Sequence, residues 1–64
     1  MEEERIRGRQ VSIAVGEAPG GGWMAVGIVQ QGLDPEKGMR FEARAADPAE
    51  AERRLKLEIE AAFM

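Results

Sequence analysis

Hydrophobic and polar positions alternate with period two in three stretches of the chain and recur with helical period in a fourth. Val11, Ile13 and Val15 alternate with Gln10, Ser12 and Ala14, which predicts a half-buried strand built on β-branched residues. A second strand is predicted from Trp23 to about Gln31, with Met24, Val26 and Ile28 on one face and Trp23, Ala25, Gly27 and Val29 on the other. Both of its faces are apolar, the mark of a central strand. Met39, Phe41, Ala43 and Ala45 alternate with Arg40, Glu42 and Arg44, and this is the cleanest strand pattern of the three. Gly16 to Gly22 and Gly32 to Gly38 separate the strands as turns, the second opened by Asp34-Pro35. Met1 to Gly8 is charged and carries only Ile6 as a large apolar residue beyond the initial methionine. It is expected to be a frayed terminus leading into the first strand.

The fourth stretch is a helix with its own start signal. Asp47 suits the N-cap, Pro48 the first helical position, and Glu50 falls where a capping box needs it. No Gly or Pro follows from Ala49 to Met64, and Glu50–Arg54 and Glu52–Lys56 form i,i+4 pairs in the favourable order. Ala51, Leu55, Ile59, Ala62 and Phe63 make an apolar stripe for packing. Leu57, Ala61 and Met64 lie off that stripe; Leu57 is about 200° around the axis from Leu55.

The expected architecture is therefore α+β, one domain over residues 1–64, an antiparallel three-stranded meander with a C-terminal helix on one face (β-β-β-α). Bulk suggests a core of Val11, Ile13, Val15, Met24, Val26, Ile28, Met39 and Phe41 against Leu55, Ile59 and Phe63. One helix covers one face, so Trp23, Ala25, Val29 and Ala14 are expected to be left uncovered. With Leu57, Ala61 and Met64 on the helix, Trp23, Ala25 and Val29 are the expected interface residues. A chain this short buries only about 60% of the surface its unfolded form exposes, so covering such a face by association is favourable.

Composition narrows the chemistry. The 64 residues contain no Cys, His, Thr, Tyr or Asn, and Ser12 is the only hydroxyl side chain. A disulfide framework, a Cys/His zinc site and a His-activated nucleophile cannot be built from one copy. No catalytic residue, cofactor or metal is expected. Both charge signs are mixed, with a net charge of -3. The apolar content is that of a folded domain rather than a disordered one. Met1-Glu2-Glu3-Glu4 is acidic where a secretory signal is basic, and the charge-free run from Ala18 to Leu33 is broken by glycines and a proline. No membrane span is expected, and the location expected is cytoplasmic. Seven of the nine basic residues are Arg, a bias that fits a thermophile or a GC-rich genome.

Three constellations remain to be weighed. Pro19-Gly20-Gly21-Gly22 joins two strands and lacks a following Lys or Ser, so it reads as a hairpin turn rather than a phosphate cradle. Arg9, Arg40 and Arg44, with Arg7 nearby and Trp23 for stacking, offer an alternative function as a small nucleic-acid-binding sheet face. Net acidity and Glu42 between two of the arginines favour cross-strand ion pairing instead. Glu17, Asp34, Glu36, Glu42 and Asp47 show no ligand-like spacing and read as solubilising charges.

The chain also resembles the HicB-like family, small domains with a partial RNase H fold that include antitoxins of the HicA–HicB systems. The resemblance rests on Gly21-Gly22-Trp23-Met24-Ala25 opening the second strand. It rests too on Ala46-Asp47-Pro48-Ala49-Glu50-Ala51 leading into a helix with Leu55 and Ile59. Gln30-Gln31-Gly32-Leu33-Asp34-Pro35 departs from the family's segment after that strand, and Glu52 and Glu58 stand at often apolar positions. The resemblance implies a β-β-β-α domain without catalytic carboxylates, self-associating and binding a small toxin-type ribonuclease; operator binding is not carried over. The expected function is a non-catalytic, homo-oligomeric protein-interaction domain.

Overall fold

A computed structural model describes residues 2–31 and 36–64. Four strands and one helix follow in chain order: β1 (Glu2–Ile6), β2 (Arg9–Glu17), β3 (Trp23–Gln31), β4 (Arg40–Ala45) and α1 (Pro48–Ala62). The strands form one antiparallel sheet in the order β1-β2-β3-β4, a meander in which every neighbour in sequence is a neighbour in space. The architecture is the expected α+β meander with a C-terminal helix, corrected by one strand. The Asp34-Pro35 turn start and Met1 lie outside the described residues.

The additional strand is the segment expected to fray. Ile6 pairs with Arg9 across a two-residue turn in which Arg7 (φ 51°) and Gly8 (φ 83°) are both left-handed. Such a turn matches the twist of a hairpin, but it calls for Asn or Gly at both central positions, and Arg7 hides it. Glu2, Glu4 and Ile6 share the helix-side face of β1, so two of its three inward positions carry charge. Without an apolar alternation, the strand gives no period-two signal. Its charged side chains also suit an edge strand, which they protect against pairing with other chains.

α1 begins at the residue its signals indicate, with the Glu50 carboxylate turned to Arg53 and Arg54. The Asp47 carboxylate accepts a hydrogen bond from the Glu50 N–H at 2.8 Å, and Pro48 occupies the first turn. Ala51, Leu55 and Ile59 are buried on the sheet, Phe63 packs at its margin, and Ala62 faces solvent.

The sidedness of β3 reverses the expectation. Ala25 and Val29 are 0% and 1% exposed beneath α1, in a core with Val11, Ile13, Ala43, Ala51, Leu55 and Ile59. Trp23 is partly buried against the same core. Register requires this. Val11, Ile13 and Val15 pair directly with Val29, Gly27 and Ala25, and Ala25 pairs in turn with Ala43. Trp23, Ala25 and Val29 are therefore not an uncovered interface. Met24, Val26 and Ile28, expected in the core, project from the opposite face. Val15 and Met39 are also exposed.

Side-chain volume explains the reversal. A Cβ placed on Gly27 would stand 3.1 Å from Ile59 Cδ1, 3.3 Å from Val11 Cγ1 and 3.4 Å from Leu55 Cδ2. The helix is seated where the central strand is thinnest, between bulky neighbours on β2 and β4. A face of Met24, Val26 and Ile28 would hold it off. Gly27→Val should therefore lose about 1–3 kcal/mol by overpacking. Gly16→Ala, whose Cβ would meet nothing within 4 Å, should stay within about 0.5 kcal/mol of wild type. Urea unfolding followed by Trp23 fluorescence at low protein concentration separates the two; equal midpoints for both variants would contradict the packing argument.

Candidate interaction surface

The face of the sheet turned away from α1 is organised in rows by the strand register. One row runs Glu3–Ser12–Ile28–Arg40, the next Ala14–Val26–Glu42, and the third Gly16–Met24–Arg44. The centre of the face is thus an apolar stripe on β3, flanked by small residues on β2 and by charged residues on β4. Met24 and Val26 are half-buried by their neighbours and Ile28 is exposed. Arg40 and Glu42, both on this face of β4, form an ion pair along the strand. Gln10 donates to Glu3 Oε1 at 2.8 Å and fixes the rim on β1.

The helix stripe expected to join the interface is exposed as a separate surface. Leu57 is 52% and Met64 93% exposed, and Ala61 faces solvent as well. Leu57 and Ala61 lie on α1, with Met64 just past its C-cap, and the packed side of α1 covers the other face of the sheet, so the helix stripe and the β3 stripe are on opposite sides of the molecule.

The three arginines of the nucleic-acid alternative are divided between these sides. Arg9 sits across from Ile6 on the helix side. Its Nε and Nη2 donate to the two carboxylate oxygens of Glu36 at 2.9 and 2.7 Å, and Nη1 donates to the Arg7 carbonyl at 2.7 Å. The guanidinium also lies 4.3 Å from the centroid of the Phe63 ring, which meets Phe41 edge-on at 5.8 Å. Arg9 is a clamp on the end of the helix, with three of its five donors and its ring-stacking face engaged there. Arg40 and Arg44 are on the outer face, while Trp23 is on the inner one. The set Arg9, Arg40, Arg44 and Trp23 is therefore not one surface.

The sequence does not reveal one further cluster. Carboxylate oxygens of Glu2, Glu4 and Glu52 lie within 4.8 Å of one another, where β1 meets α1. Their cation is Lys56, whose Nζ stands 2.7 Å from Glu4 Oε2 and 2.9 Å from Glu52 Oε2. A shallow cleft of about 280 Å³ opens beside them, lined by Glu2, Ile13, Ala14, Val15 and Glu52. Lys56 holds the Glu52 carboxyl below its usual range, against the effect of burial and helped by a hydrogen bond with Glu2. The two carboxylates in turn hold the Lys56 ammonium above its usual value. The only signal in the sequence is the spacing of Glu2 and Glu4, and it is silent without knowing that β1 is a strand.

Arg53 and Arg54 both bind the Glu50 carboxylate and keep it below its usual range, and Arg54 also donates to the Arg44 carbonyl at 2.9 Å. Of the five carboxylates weighed in the sequence, Asp47 caps the helix, Glu36 binds Arg9 and Glu42 binds Arg40. Asp34 lies outside the described residues. The glycine run closes a turn between β2 and β3, with Ala18 N–H donating to the Gly22 carbonyl. Among the described residues no helix is long and apolar enough to cross a membrane. Comparison with family models, with curated proteins and with solved structures finds no match to this chain.

The Lys56 cluster has a definite pH signature. A depressed Glu52 contributes stability above its unfolded pKa and loses it as pH falls through the folded one; the raised Lys56 contributes until strongly alkaline pH. Lys56→Met leaves three carboxylates together without their cation, and should cost on the order of 1 kcal/mol near neutral pH. Between about pH 7 and about pH 4.5 wild-type stability should stay level or fall, whereas the variant should fall less steeply, because Lys56 no longer holds the Glu52 carboxyl below its usual range. Parallel pH profiles from urea titrations would show that Lys56 does not neutralise this cluster.

Proposed function

We propose that this chain is a non-catalytic protein-interaction domain that self-associates through the outer face of its sheet. The observation that supports this reading most is the apolar stripe Met24, Val26 and Ile28 on β3, which α1 leaves uncovered. A single layer of helix on a four-stranded sheet leaves the second face to water or to a partner, and contiguous apolar patches on small domains commonly mark partner surfaces. The residue inventory points the same way. With no Cys or His and one hydroxyl side chain, the domain is better equipped to hold a surface than to transform a substrate.

A nucleic-acid face is the less favoured reading, since Arg9 is bound to Glu36 and Trp23 faces the helix. The HicB-like resemblance adds a toxin-type protein as a second partner, for which the exposed Leu57, Ala61 and Met64 stripe remains open while the sheet face is paired.

Sedimentation equilibrium over the micromolar range tests the reading. Wild type should show concentration-dependent mass above the monomer. Val26→Glu should weaken association at least about tenfold by burying a charge in the stripe, while Leu57→Glu should leave it unchanged. Thermal unfolding should still be cooperative for both variants. A wild-type monomer throughout would overturn the proposal, and loss of association only in Leu57→Glu would move the interface to the helix.

A further inference from the structure

The geometry points to one orientation for the pairing: two copies meet face to face about a two-fold axis parallel to the strands, passing between β2 and β3, with Glu3 of each copy bonded to Arg40 of the other. This rests on the self-association proposed above and adds the orientation of the two copies and the charge pair that fixes it.

The rows of the outer face select this axis. A two-fold axis along the strands keeps each row in place and exchanges its ends, so β1 lies over the partner's β4 and β2 over its β3. Glu3 and Arg40 are the two ends of one row, Glu3–Ser12–Ile28–Arg40. The operation therefore brings opposite charges together twice, once on each side, as an isologous contact requires. The same operation sets the large residues of β3 over the small residues of β2: Ile28 over Ser12, Val26 over Ala14, and Met24 over Gly16. Bulk on one strand then enters the space left by the other, the interdigitation that aligned sheets need at about 10 Å separation. Along these three rows, among the described residues, no two like charges are placed opposite each other.

The other face-to-face arrangement fails on both counts. A two-fold axis across the strands, centred on the Val26 row, sets β4 over β4 and reverses the rows. Arg40 then faces Arg44, Glu42 faces Glu42, and Met24 meets Ile28 above a Val26–Val26 contact. Like charges and like volumes are opposed. Complementarity in sign and in size thus selects the first axis from the register alone.

The face is on the order of 20 Å on a side, from ~4.8 Å between strands and ~3.4 Å per residue. Two such faces bury about 800 Å² in total, the range of weak and transient association rather than of a permanent dimer. The expected dimer is therefore concentration-dependent, and a reversed rim charge should shift its equilibrium visibly.

The test is complementation between two charge reversals, read by sedimentation equilibrium and by unfolding of each variant alone. Glu3→Arg sets two guanidinium groups against each other at each rim of the dimer, and Arg40→Glu sets two carboxylates there. Each should weaken self-association at least about tenfold. The axis joins position 3 of one copy to position 40 of the other. In an equimolar mixture of the two variants, one rim of the mixed dimer therefore holds the arginine introduced at position 3 against the glutamate introduced at position 40. The second rim holds native Arg40 of the first variant against native Glu3 of the second. Both rims are then opposite in sign, and the mixture should recover association near the wild-type level. A chain carrying both substitutions should recover it as well. Effects confined to one chain, such as loss of the Arg40–Glu42 pair, cannot produce rescue in the mixture. If wild type associates and the mixture shows no recovery, the orientation is wrong while self-association stands. If wild type is a monomer, both proposals fall together.

Discussion

A bulky helix can lie close to a sheet only where the sheet leaves room, and in this protein the room is the missing side chain of Gly27. Leu55 and Ile59 from the helix and Val11 from the neighbouring strand close over that position, at distances where even one added carbon would be crowded. Much else follows from this seat. Ala25 and Val29 flank Gly27 on the covered side of β3, so its large alternate residues, Met24, Val26 and Ile28, must project from the other side. The same parity puts Ser12, Ala14 and Gly16 next to them on β2. The uncovered face therefore acquires its relief, high on one strand and low on the next, as a consequence of how the core is packed.

Charged residues secure the rim of this thin core. Arg9 ties Glu36 and the Phe63 ring to the start of β2, and Lys56 ties α1 to β1 through Glu4. Arg54 links the first helical turns to the Arg44 carbonyl of β4. Each contact reaches an element edge that the Leu55–Ile59 core does not cover. Exposed ion pairs add little individually, but here they join different elements and fix where the helix ends meet the sheet. The ion pairs that join α1 to the sheet therefore occupy the helix side, and the outer face is left with Arg40, Glu42, Arg44, Glu3 and Arg5 as a charged border around an apolar centre.

How legible each part is in the sequence follows from how local its cause is. The helix start is readable because its cause is local: the Asp47 side chain accepts from the Glu50 N–H three residues on, and Pro48 suits the first turn between them. β2, β3 and β4 are readable from alternation. β1 is not, since Glu2 and Glu4 take inward positions, Glu4 finds its partner Lys56 some fifty residues away, and Arg7 adopts a left-handed turn that its residue type does not announce. The sidedness of β3 is hidden for a different reason. Both faces are apolar, and bulk favours the wrong one; volume matching against Leu55, Ile59 and Val11 decides it, and that match exists only in three dimensions. A single helix correctly implies one uncovered sheet face, while the residues that bulk assigns to it are those of the opposite side. The same parity separates Arg9 from Arg40 and Arg44.

Seating α1 on Gly27 and a self-complementary outer face are thus two sides of one packing solution. Isotope-filtered NOE spectroscopy on an equal mixture of labelled and unlabelled protein, at a concentration where it associates, probes both sides at once. Cross-copy contacts should appear between the Val26 methyls and the Ala14 methyl, with none involving Leu57. Cross-copy contacts confined to Leu57 and Met64, or Val26 methyls in contact with Leu55 or Ile59 within one copy, would contradict this picture.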